Sequence, residues 1–338
     1  MDGFINQMLM PLTGLLSFAL AAGFGKLVIP WLHKLKFGQT IREEGPAWHQ
    51  KKSGTPTMGG VLFIGSFAVT VLAAVAIVAT ANAGELFGTP YEAVRFWGGF
   101  GLAIGCGLIG FADDYIKVVK KRNLGLTPMQ KLLLQLLVAG GYAVLMYIFG
   151  NGRMNIPFFG EVEWGIWFVP FCVFVIVAMS NATNLTDGVD GLCASTAFVA
   201  ALALLLLTGL EGQRYQGLIA AALAGGLAGF LLWNLHPARV FMGDTGSLFI
   251  GGALTALAFG IEQPFLLVPV GVLYIAENVS VILQVGYFKL THGKRLFKMS
   301  PLHHHFEMCG WSENKIVFVF SAVTLLGCVA AVALWYFA

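Results

Sequence analysis

The feature that most constrains this chain is a series of apolar blocks, each long enough to cross a lipid bilayer as a helix. About 20 predominantly apolar residues are needed for one such crossing. Charged residues make up only 11% of the 338 residues, whereas a soluble domain usually has about 25%. The sequence therefore predicts an all-α, polytopic integral membrane protein.

About ten transmembrane helices are expected from these blocks, the eighth of them short and the ninth long. The predicted spans are 12–33, 58–80, 96–116, 132–149, 164–184, 192–210, 215–233, 246–260, 264–288 and 316–338. The sequence shows no internal repeat and no separate soluble domain. We therefore expect a single transmembrane domain over residues 1–338, with a functional site formed by the loops on one side.

The distribution of the basic residues predicts which side that is. Of the 20 Lys and Arg residues, 16 fall in the alternate loops 34–57, 117–131, 234–245 and 289–315. Lys and Arg accumulate in the cytoplasmic loops of membrane proteins. Both termini are therefore expected on the outer side and these four loops in the cytoplasm. For most of these cations, fixing the topology is a sufficient explanation.

Five aspartates follow odd-numbered spans, which all end on the same side of the membrane. Asp113 and Asp114 end the third span, "NLTDGVDG" at 184–191 follows the fifth, and "FMGDTGS" at 241–247 follows the seventh. One such pair is equally well explained as a solvated helix end. Acidic residues at membrane depth are costly and mark functional sites, and three segments in register favour that interpretation.

Clustered carboxylates beside clustered cations are typical of phosphoryl-transfer sites. Like charges close together must share protons or a cation, and oxygen-only ligands suit Mg²⁺. Lys and Arg at the rim can hold phosphate oxygens. The Walker loop pattern is absent, which excludes a P-loop enzyme. An ion-coupled transporter is an alternative from another class, but its site is expected near the bilayer midplane at a repeat interface.

Three consecutive histidines, His303, His304 and His305, lie in the last basic loop within "SPLHHHFEMCGW". Histidine donors that bind phosphate or substrate fit the neighbouring acids. A zinc site and a plain loop are the alternatives, although the Cys and His spacing does not match a structural zinc finger. Glu277, inside the ninth span, either pairs within the bundle or marks a break in that long helix, and no catalytic role is assigned to it.

Taken together, the motifs resemble those of a known family, the bacterial phospho-N-acetylmuramoyl-pentapeptide transferases (the MraY translocases). The matching segments are "GTPTMGG" at 54–60, "GFADDYIKV", "NATNLTDGVDGL", "VFMGDTGSL" and "PLHHHFE". The wider superfamily of polyprenyl-phosphate N-acetylhexosamine-1-phosphate transferases shares the paired aspartates and the "NLTDGVDGL" pattern. The "PLHHHFE" segment indicates the muramoyl-pentapeptide branch, and the resemblance runs essentially from end to end.

The resemblance implies a reaction in peptidoglycan synthesis, and hence in cell-wall biogenesis, cell shape and cell division. UDP-MurNAc-pentapeptide and undecaprenyl phosphate would give lipid I and UMP, with Mg²⁺ as cofactor. It further implies a multi-pass protein of the bacterial plasma (inner) membrane, surrounded by membrane lipids, with the active site facing the cytoplasm. A homodimer is expected, and no nucleic-acid partner.

The resemblance also implies roles for individual residues. Asp244 would be the Mg²⁺ ligand, and Asp113 would activate or orient the prenyl phosphate. Asp114 would support the metal or the charge of the aspartate pair, and His303 would complete the catalytic set. The implied substrate-binding residues are Lys52, Thr57, Lys121, Lys131, Asn181, Asn184, Asp187, Asp190, Asn234, Phe241, His304 and His305.

Two alternatives stay open at the level of sequence. An aspartate could attack the diphosphate and become phosphorylated, which would make the reaction a two-step transfer. The donor could instead be UDP-N-acetylglucosamine, as in the sister branch of the superfamily.

Overall fold

A computed structural model shows a bundle of long apolar helices; it describes residues 2–34, 54–81, 86–120 and 125–338. The predicted site residues Lys52 and Lys121 lie outside these described residues. The long helices are α1 (Asp2–Lys34), α2 (Gly60–Ala81), α3 (Pro90–Val119), α4 (Pro128–Gly150), α5 (Phe168–Thr186), α6 (Leu192–Leu210), α7 (Arg214–Asn234), α8 (Gly243–Gly260), α10 (Val272–Leu290) and α12 (Glu313–Phe337). Two short helices, α9 (Leu267–Val270) and α11 (Leu302–Glu307), complete the helical set.

Within the described residues, eight helices are long and apolar enough to cross a membrane, and a ninth crossing is counted if one bent pair is taken as a single span. The bent pair covers Pro264–Val270 and Val272–Leu290 and turns by 76° between its halves. This pair is the predicted span 264–288. Its break falls at Gly271 and not at Glu277, which lies inside the second half.

The predicted eighth span, 246–260, corresponds to α8, which is not counted among those eight helices. Its first residues are polar, and every residue from Thr245 to Gly260 is buried. Helices α2, α3 and α5 pack around it, so protein and not lipid covers its surface. This central helix is the element that carries Asp244 into the bundle.

Aromatic rings and small residues determine how α8 packs. Phe249 makes edge contacts with Phe63 and Phe67 of α2, with ring centroids 5.8 and 5.1 Å away. On the other side, Gly110 of α3 touches the backbone of α8 so closely that a Cβ there would overlap the Asp244 carbonyl. Small residues permit such close approach between helices in membranes. The contact brings the end of α3 beside the start of α8.

An antiparallel hairpin follows α4 and was not expected in an all-α chain. Its strands are β1 (Arg153–Ile156) and β2 (Gly160–Glu163), and Arg153 pairs with Glu163. The Asn155 amide donates to the Glu262 carbonyl at 2.9 Å, which attaches the hairpin to the end of α8 opposite Asp244. The hairpin is therefore far from the aspartates.

Candidate active site

Three aspartates form the centre of the candidate site. Asp113 and Asp114 lie in the last turns of α3, and Asp244 is in the first turn of α8. One carboxylate oxygen from each lies within 4.8 Å of the other two. We call these three residues, together with Lys117 and Lys131, the acid cluster. The predicted convergence of the motifs after the third and seventh spans is thus present in the structure.

Asp114 also holds the start of α8 in place. Its Oδ2 accepts hydrogen bonds from the Thr245 amide at 2.9 Å and from the Thr245 hydroxyl at 2.7 Å. The first amides of a helix have no partner within the helix, and they favour a negative charge. Asp114 therefore acts as a cap supplied by another helix, which leaves its Oδ1 facing the rest of the acid cluster.

Asp113 is fixed by the loop that follows α3. Its Oδ1 accepts from the Leu126 amide at 2.8 Å, and its Oδ2 lies 2.5 Å from the Lys117 ammonium. The carboxylate is only 6% exposed. Both oxygens are therefore oriented by the protein before any ligand arrives.

Asp244 is contacted by two helices besides α3. Its Oδ1 accepts from the Asn184 side chain of α5 at 2.9 Å, and its Oδ2 lies 3.0 Å from the Lys131 ammonium of α4. Lys131 also donates to the side-chain oxygen Oδ1 of Asn184 at 3.2 Å. The predicted residues Lys131, Asn184 and Asp244 thus form one connected group.

Lys117 is absent from the predicted site residues, yet it lies among all three carboxylates. Its ammonium is 2.5 Å from Asp113, 3.7 Å from Asp114 and 3.2 Å from Asp244. The signal for it is present in the sequence, because Lys117 follows Asp113 by four residues and so lies on the same helix face. Thr245 was missed as well, although it is the residue next to Asp244.

Asp187, just beyond the end of α5, adds a fourth carboxyl beside the acid cluster. Its pKa is raised to about 8, first by burial and then by the charges of Asp244 and Asp114, while a hydrogen bond from the Gly243 amide opposes the shift. A carboxyl in this position keeps its proton near neutral pH unless a cation compensates the neighbouring charges.

The acid cluster fits a divalent cation. Its ligand atoms are carboxylate oxygens within a few ångströms of one another, and the Lys117 ammonium stands where a cation would neutralise them. Mg²⁺ is bound in proteins through one or two carboxylates, with its remaining positions left to water and phosphate. Asp244, Asp113 and the Oδ1 of Asp114 are the groups that would hold such a cation.

Several predicted residues lie elsewhere at this end of the bundle. Asp190 accepts from the His236 ring at 3.0 Å, and its amide donates to Glu313 at 3.2 Å, which forms a second group of possible metal ligands. Asn181 donates to Gln135 at 3.1 Å. These contacts connect helices and loops around the acid cluster and do not reach its carboxylates.

Residues 54–60 and 234–243 run beside each other at the edge of the site. The Phe241 amide donates to the Pro56 carbonyl at 2.8 Å, and the buried Asn234 side chain donates to the Val240 carbonyl at 2.9 Å. This pairing places the Thr57 hydroxyl beside Gly243, which the Asp114 carboxylate also contacts. Asn234 and Phe241 therefore shape the loop that leads into α8.

The three histidines lie in a short helix, α11, directly after its first residue, and each has a different partner. His303 is buried and contacts Glu277 of α10 at 3.2 Å. His304 lies 2.6 Å from Glu307, and His305 accepts from the Lys298 amide at 3.1 Å. Glu277, for which the sequence analysis left pairing or a helix break open, thus pairs with His303, a predicted site residue.

Comparisons with known proteins agree with this geometry. Residues 96–261 match the model of glycosyl transferase family 4, and residues 52–64 match signature 1 of the phospho-N-acetylmuramoyl-pentapeptide-transferases. The family segment begins in α3 and ends just after α8, so it includes every residue of the acid cluster.

Relatives that carry the name phospho-N-acetylmuramoyl-pentapeptide-transferase match along almost the whole chain. The protein from Clostridium perfringens is 45% identical over 320 residues, which are 94% of this chain and 96% of the relative. The protein from Caldanaerobacter subterraneus subsp. tengcongensis is 49% identical over 317 residues, 92% of this chain and 94% of the relative. The chain therefore belongs to the family of the phospho-N-acetylmuramoyl-pentapeptide-transferases.

Proposed function

We propose that this protein transfers phospho-MurNAc-pentapeptide from UDP-MurNAc-pentapeptide to undecaprenyl phosphate, giving lipid I and UMP. The observation that carries the proposal is the acid cluster at one end of a membrane-spanning bundle, formed within the segment that matches the glycosyl transferase family. A lipid-linked phosphate at the headgroup level and a water-soluble nucleotide sugar can meet only at such a position.

We infer that this end faces the cytoplasm. Loops 34–57, 117–131 and 289–315 hold most of the Lys and Arg residues, and the last two of these adjoin the acid cluster or carry the three histidines. The excess of basic residues supports a cytoplasmic location in the plasma membrane, with both termini outside. A single domain over residues 1–338 and a homodimer are part of the same proposal.

Mg²⁺ is the proposed cofactor, held by Asp244 with Asp113 and Asp114. When bound, it would neutralise charge on the diphosphate and on the leaving UMP. The ammonium groups of Lys117 and Lys131 point at Asp244, so both are positioned to contact phosphate oxygens that approach this carboxylate.

The proposed step is a direct attack. An oxygen of undecaprenyl phosphate forms a bond to the phosphorus attached to MurNAc, the bond from that phosphorus to the bridging oxygen breaks, and UMP leaves with this oxygen. The attacking phosphate is already ionised at neutral pH, so little is left for a general base to do. Asp113, fixed by Leu126 and Lys117, would orient the acceptor. Catalysis then rests on positioning and on charge neutralisation.

The donor would lie along residues 181–191, at the end of α5 and in the loop after it, and along residues 234–243, where Asn184 and Asp187 adjoin Asp244. Asp190, Asn234 and Phe241 lie further along the same loops. The three consecutive histidines, His303, His304 and His305, which we call the histidine segment, would contact the sugar side of the donor. Lys52, Thr57, Lys121, Asn181, His304 and His305 stay predictions as substrate-binding residues.

An assay with purified protein tests the reaction. The protein should form lipid I and UMP from UDP-MurNAc-pentapeptide, undecaprenyl phosphate and Mg²⁺, and it should not use UDP-N-acetylglucosamine in place of the donor. Equal or better turnover of UDP-N-acetylglucosamine would assign the chain to the sister activity. Absence of turnover with either nucleotide sugar would contradict the proposal.

A second experiment decides between direct and two-step transfer. Stoichiometric protein freed of lipid phosphate is mixed with UDP-MurNAc-pentapeptide, and released UMP and the protein mass are measured. We expect no UMP burst and no adduct on Asp113 or Asp114. A burst that approaches one UMP per protein would establish one of these carboxylates as the nucleophile.

A further inference from the structure

A buried carboxylate on helix α10, that of Glu277, contacts the first residue of the histidine segment. Glu277, in α10, is 0% exposed, and its Oε1 lies 3.2 Å from both the backbone amide and the ring Nδ1 of His303. Burying a charged group without partners is very unfavourable. Two donors from one residue, both directed at one oxygen, indicate that this contact determines the position of His303.

The other ring nitrogen of His303 has a different environment. Its Nε2 is buried and has no hydrogen-bond partner among the described residues. The ring edge rests against Gly188, where a Cβ would overlap Nε2. Gly188 lies between Asp187 and Asp190 in the "NLTDGVDGL" segment. His303 therefore joins the histidine segment to the loop that carries two of the predicted donor-binding aspartates.

The contact with Glu277 determines which nitrogen carries the proton in the neutral ring. Oε1 already accepts the hydrogen bond of the His303 backbone amide, and the same oxygen accepts a second one when Nδ1 carries the ring hydrogen. The neutral ring then presents a lone pair at Nε2. A buried acceptor without a hydrogen-bond partner is unfavourable, and in a native structure it calls for an explanation such as a ligand or a catalytic role.

We propose that Glu277 is a positioning residue: it holds His303 in the Nδ1–H tautomer and so directs Nε2, as an acceptor, toward the Asp187–Asp190 loop and the donor substrate bound there. This inference rests on the proposed function for the identity of the substrate. The state of the ring itself does not depend on the reaction and can be measured without it.

The tautomer is measured first, in protein with ¹⁵N-labelled histidine. Solid-state NMR of the wild type in lipid should show His303 protonated at Nδ1, with the signal assigned by its loss in His303→Asn. In Glu277→Leu the Nδ1–H signal should weaken and the Nε2–H signal should appear. A wild-type ring protonated at Nε2 alone would overturn the proposal, whatever the activity.

Kinetics then separate positioning from a purely structural role. Glu277→Leu should lower turnover about 10–100-fold, the range observed when groups that orient a functional residue are removed. Glu277→Gln keeps an oxygen that can accept from both donors, so it should restore most of the lost turnover. If Glu277→Gln is as impaired as Glu277→Leu, or if neither variant is impaired, orientation of His303 is not the role of Glu277.

A double-mutant comparison tests whether Glu277 acts through His303. Asn at position 303 keeps a donor near Nδ1 and lacks Nε2, so His303→Asn should lose turnover while it keeps the Glu277 contact. Adding Glu277→Leu to His303→Asn should then lower turnover little further. Independent, additive losses would contradict the proposal.

Ser280→Ala is the matched control, because Ser280 lies in the next turn of α10 and its hydroxyl donates to the Glu277 backbone carbonyl at 2.6 Å, away from the carboxylate. Its turnover should equal that of the wild type. If Glu277→Leu does not fold, Glu277→Gln and the wild-type tautomer still decide the question. Failure of the proposed function would appear differently, as a wild-type protein that shows the Nδ1–H ring but no lipid I synthesis.

Discussion

Helix α3 carries charged side chains near both of its ends, and the two ends use them differently. Arg95 and Asp113 are 18 residues apart, which corresponds to roughly 27 Å along a helix. At the Arg95 end, the guanidinium donates to Gln213 at 2.9 Å, lies 3.9 Å from Glu262 and stacks over Tyr91 at 5.0 Å. We call Arg95, Gln213 and Glu262 the far-end group.

The charges of the far-end group are balanced, because it contains one cation and one anion. Each of its residues lies at the end of a different helix or in the turn beside it. Its contacts join α3, the turn before α7 and the end of α8. At the other end, the carboxyls of Asp113, Asp114, Asp187 and Asp244 outnumber the ammoniums of Lys117 and Lys131, the two cations that contact this group within the described residues. An excess of like charge is unfavourable for folding alone.

The comparison separates structural charges from functional ones in the same helix. Buried pairs that are balanced can be kept for structure, whereas an uncompensated group of carboxylates points to a missing cation or substrate. Changes at the acid cluster should therefore affect turnover more than stability, and changes at the far-end group should do the opposite. The following predictions test that contrast.

The largest effect is expected for Asp244→Asn. It removes the carboxylate that both lysines contact, so turnover should fall about 10³-fold or more, as when a preorganised electrostatic group is lost. The melting temperature should change little beside this loss of turnover, because Lys117 keeps its contacts with Asp113 and Asp114. Lipid I formation and thermal unfolding in detergent measure both. Nearly normal turnover, or full wild-type activity in EDTA, would show that the acid cluster binds no catalytic cation.

The next largest effect is expected for Lys117→Met. Loss of the ammonium among three carboxylates should lower turnover about 10²-fold. It should also lower the melting temperature in EDTA, and Mg²⁺ should raise it again by more than in the wild type. Lys120→Met, at an exposed position one turn later, is the control and should behave as wild type. If the two variants have equal turnover and equal melting temperatures, Lys117 only helps to set the membrane topology.

The sequence was sufficient for the general fold and for the meeting of the aspartates. Apolar block length predicts spans, and the alternation of loops places Asp113, Asp114 and Asp244 at one end. The sequence could not show that other helices enclose α8. That packing depends on Gly110 of α3 and on aromatic rings of α2, which are distant from α8 in the sequence. The hairpin at 153–163 was missed because its strands have only four residues each.

Within the site, the distance along the chain decided which contacts could be predicted. Lys117 follows Asp113 by four residues, so that contact was available from helical periodicity alone. Glu277 and His303 are separated by 26 residues and by a loop of irregular structure. No periodicity joins them, and only the three-dimensional structure could show the pair.

A smaller effect, on stability alone, is expected for Arg95→Met. The change leaves Gln213 and Glu262 without their common donor, which should lower the free energy of unfolding by about 1–3 kcal/mol. Turnover should stay unchanged within error, because the acid cluster is at the other end of α3. Arg153→Met is the control, since its pairs with Glu161 and Glu163 are exposed and should contribute about 0–1 kcal/mol. A large loss of turnover in folded Arg95→Met would break the contrast between the two ends.

The smallest effect is expected in the number of protons that the protein releases when Mg²⁺ binds. Because the pKa of Asp187 is raised to about 8, this carboxyl is mostly protonated at pH 7 in the absence of a cation. Mg²⁺ bound beside it should lower that pKa, so binding should release a proton. Titration calorimetry of the wild type at pH 7, in buffers of different ionisation enthalpy, should show a net release of protons. Asp187→Asn should lower this release, whereas Asp190→Asn should not, because Asp190 pairs with His236 in the separate group. If the wild type binds Mg²⁺ without proton release, the acid cluster already compensates its own charge, and the imbalance that distinguishes it from the far-end group does not exist in solution.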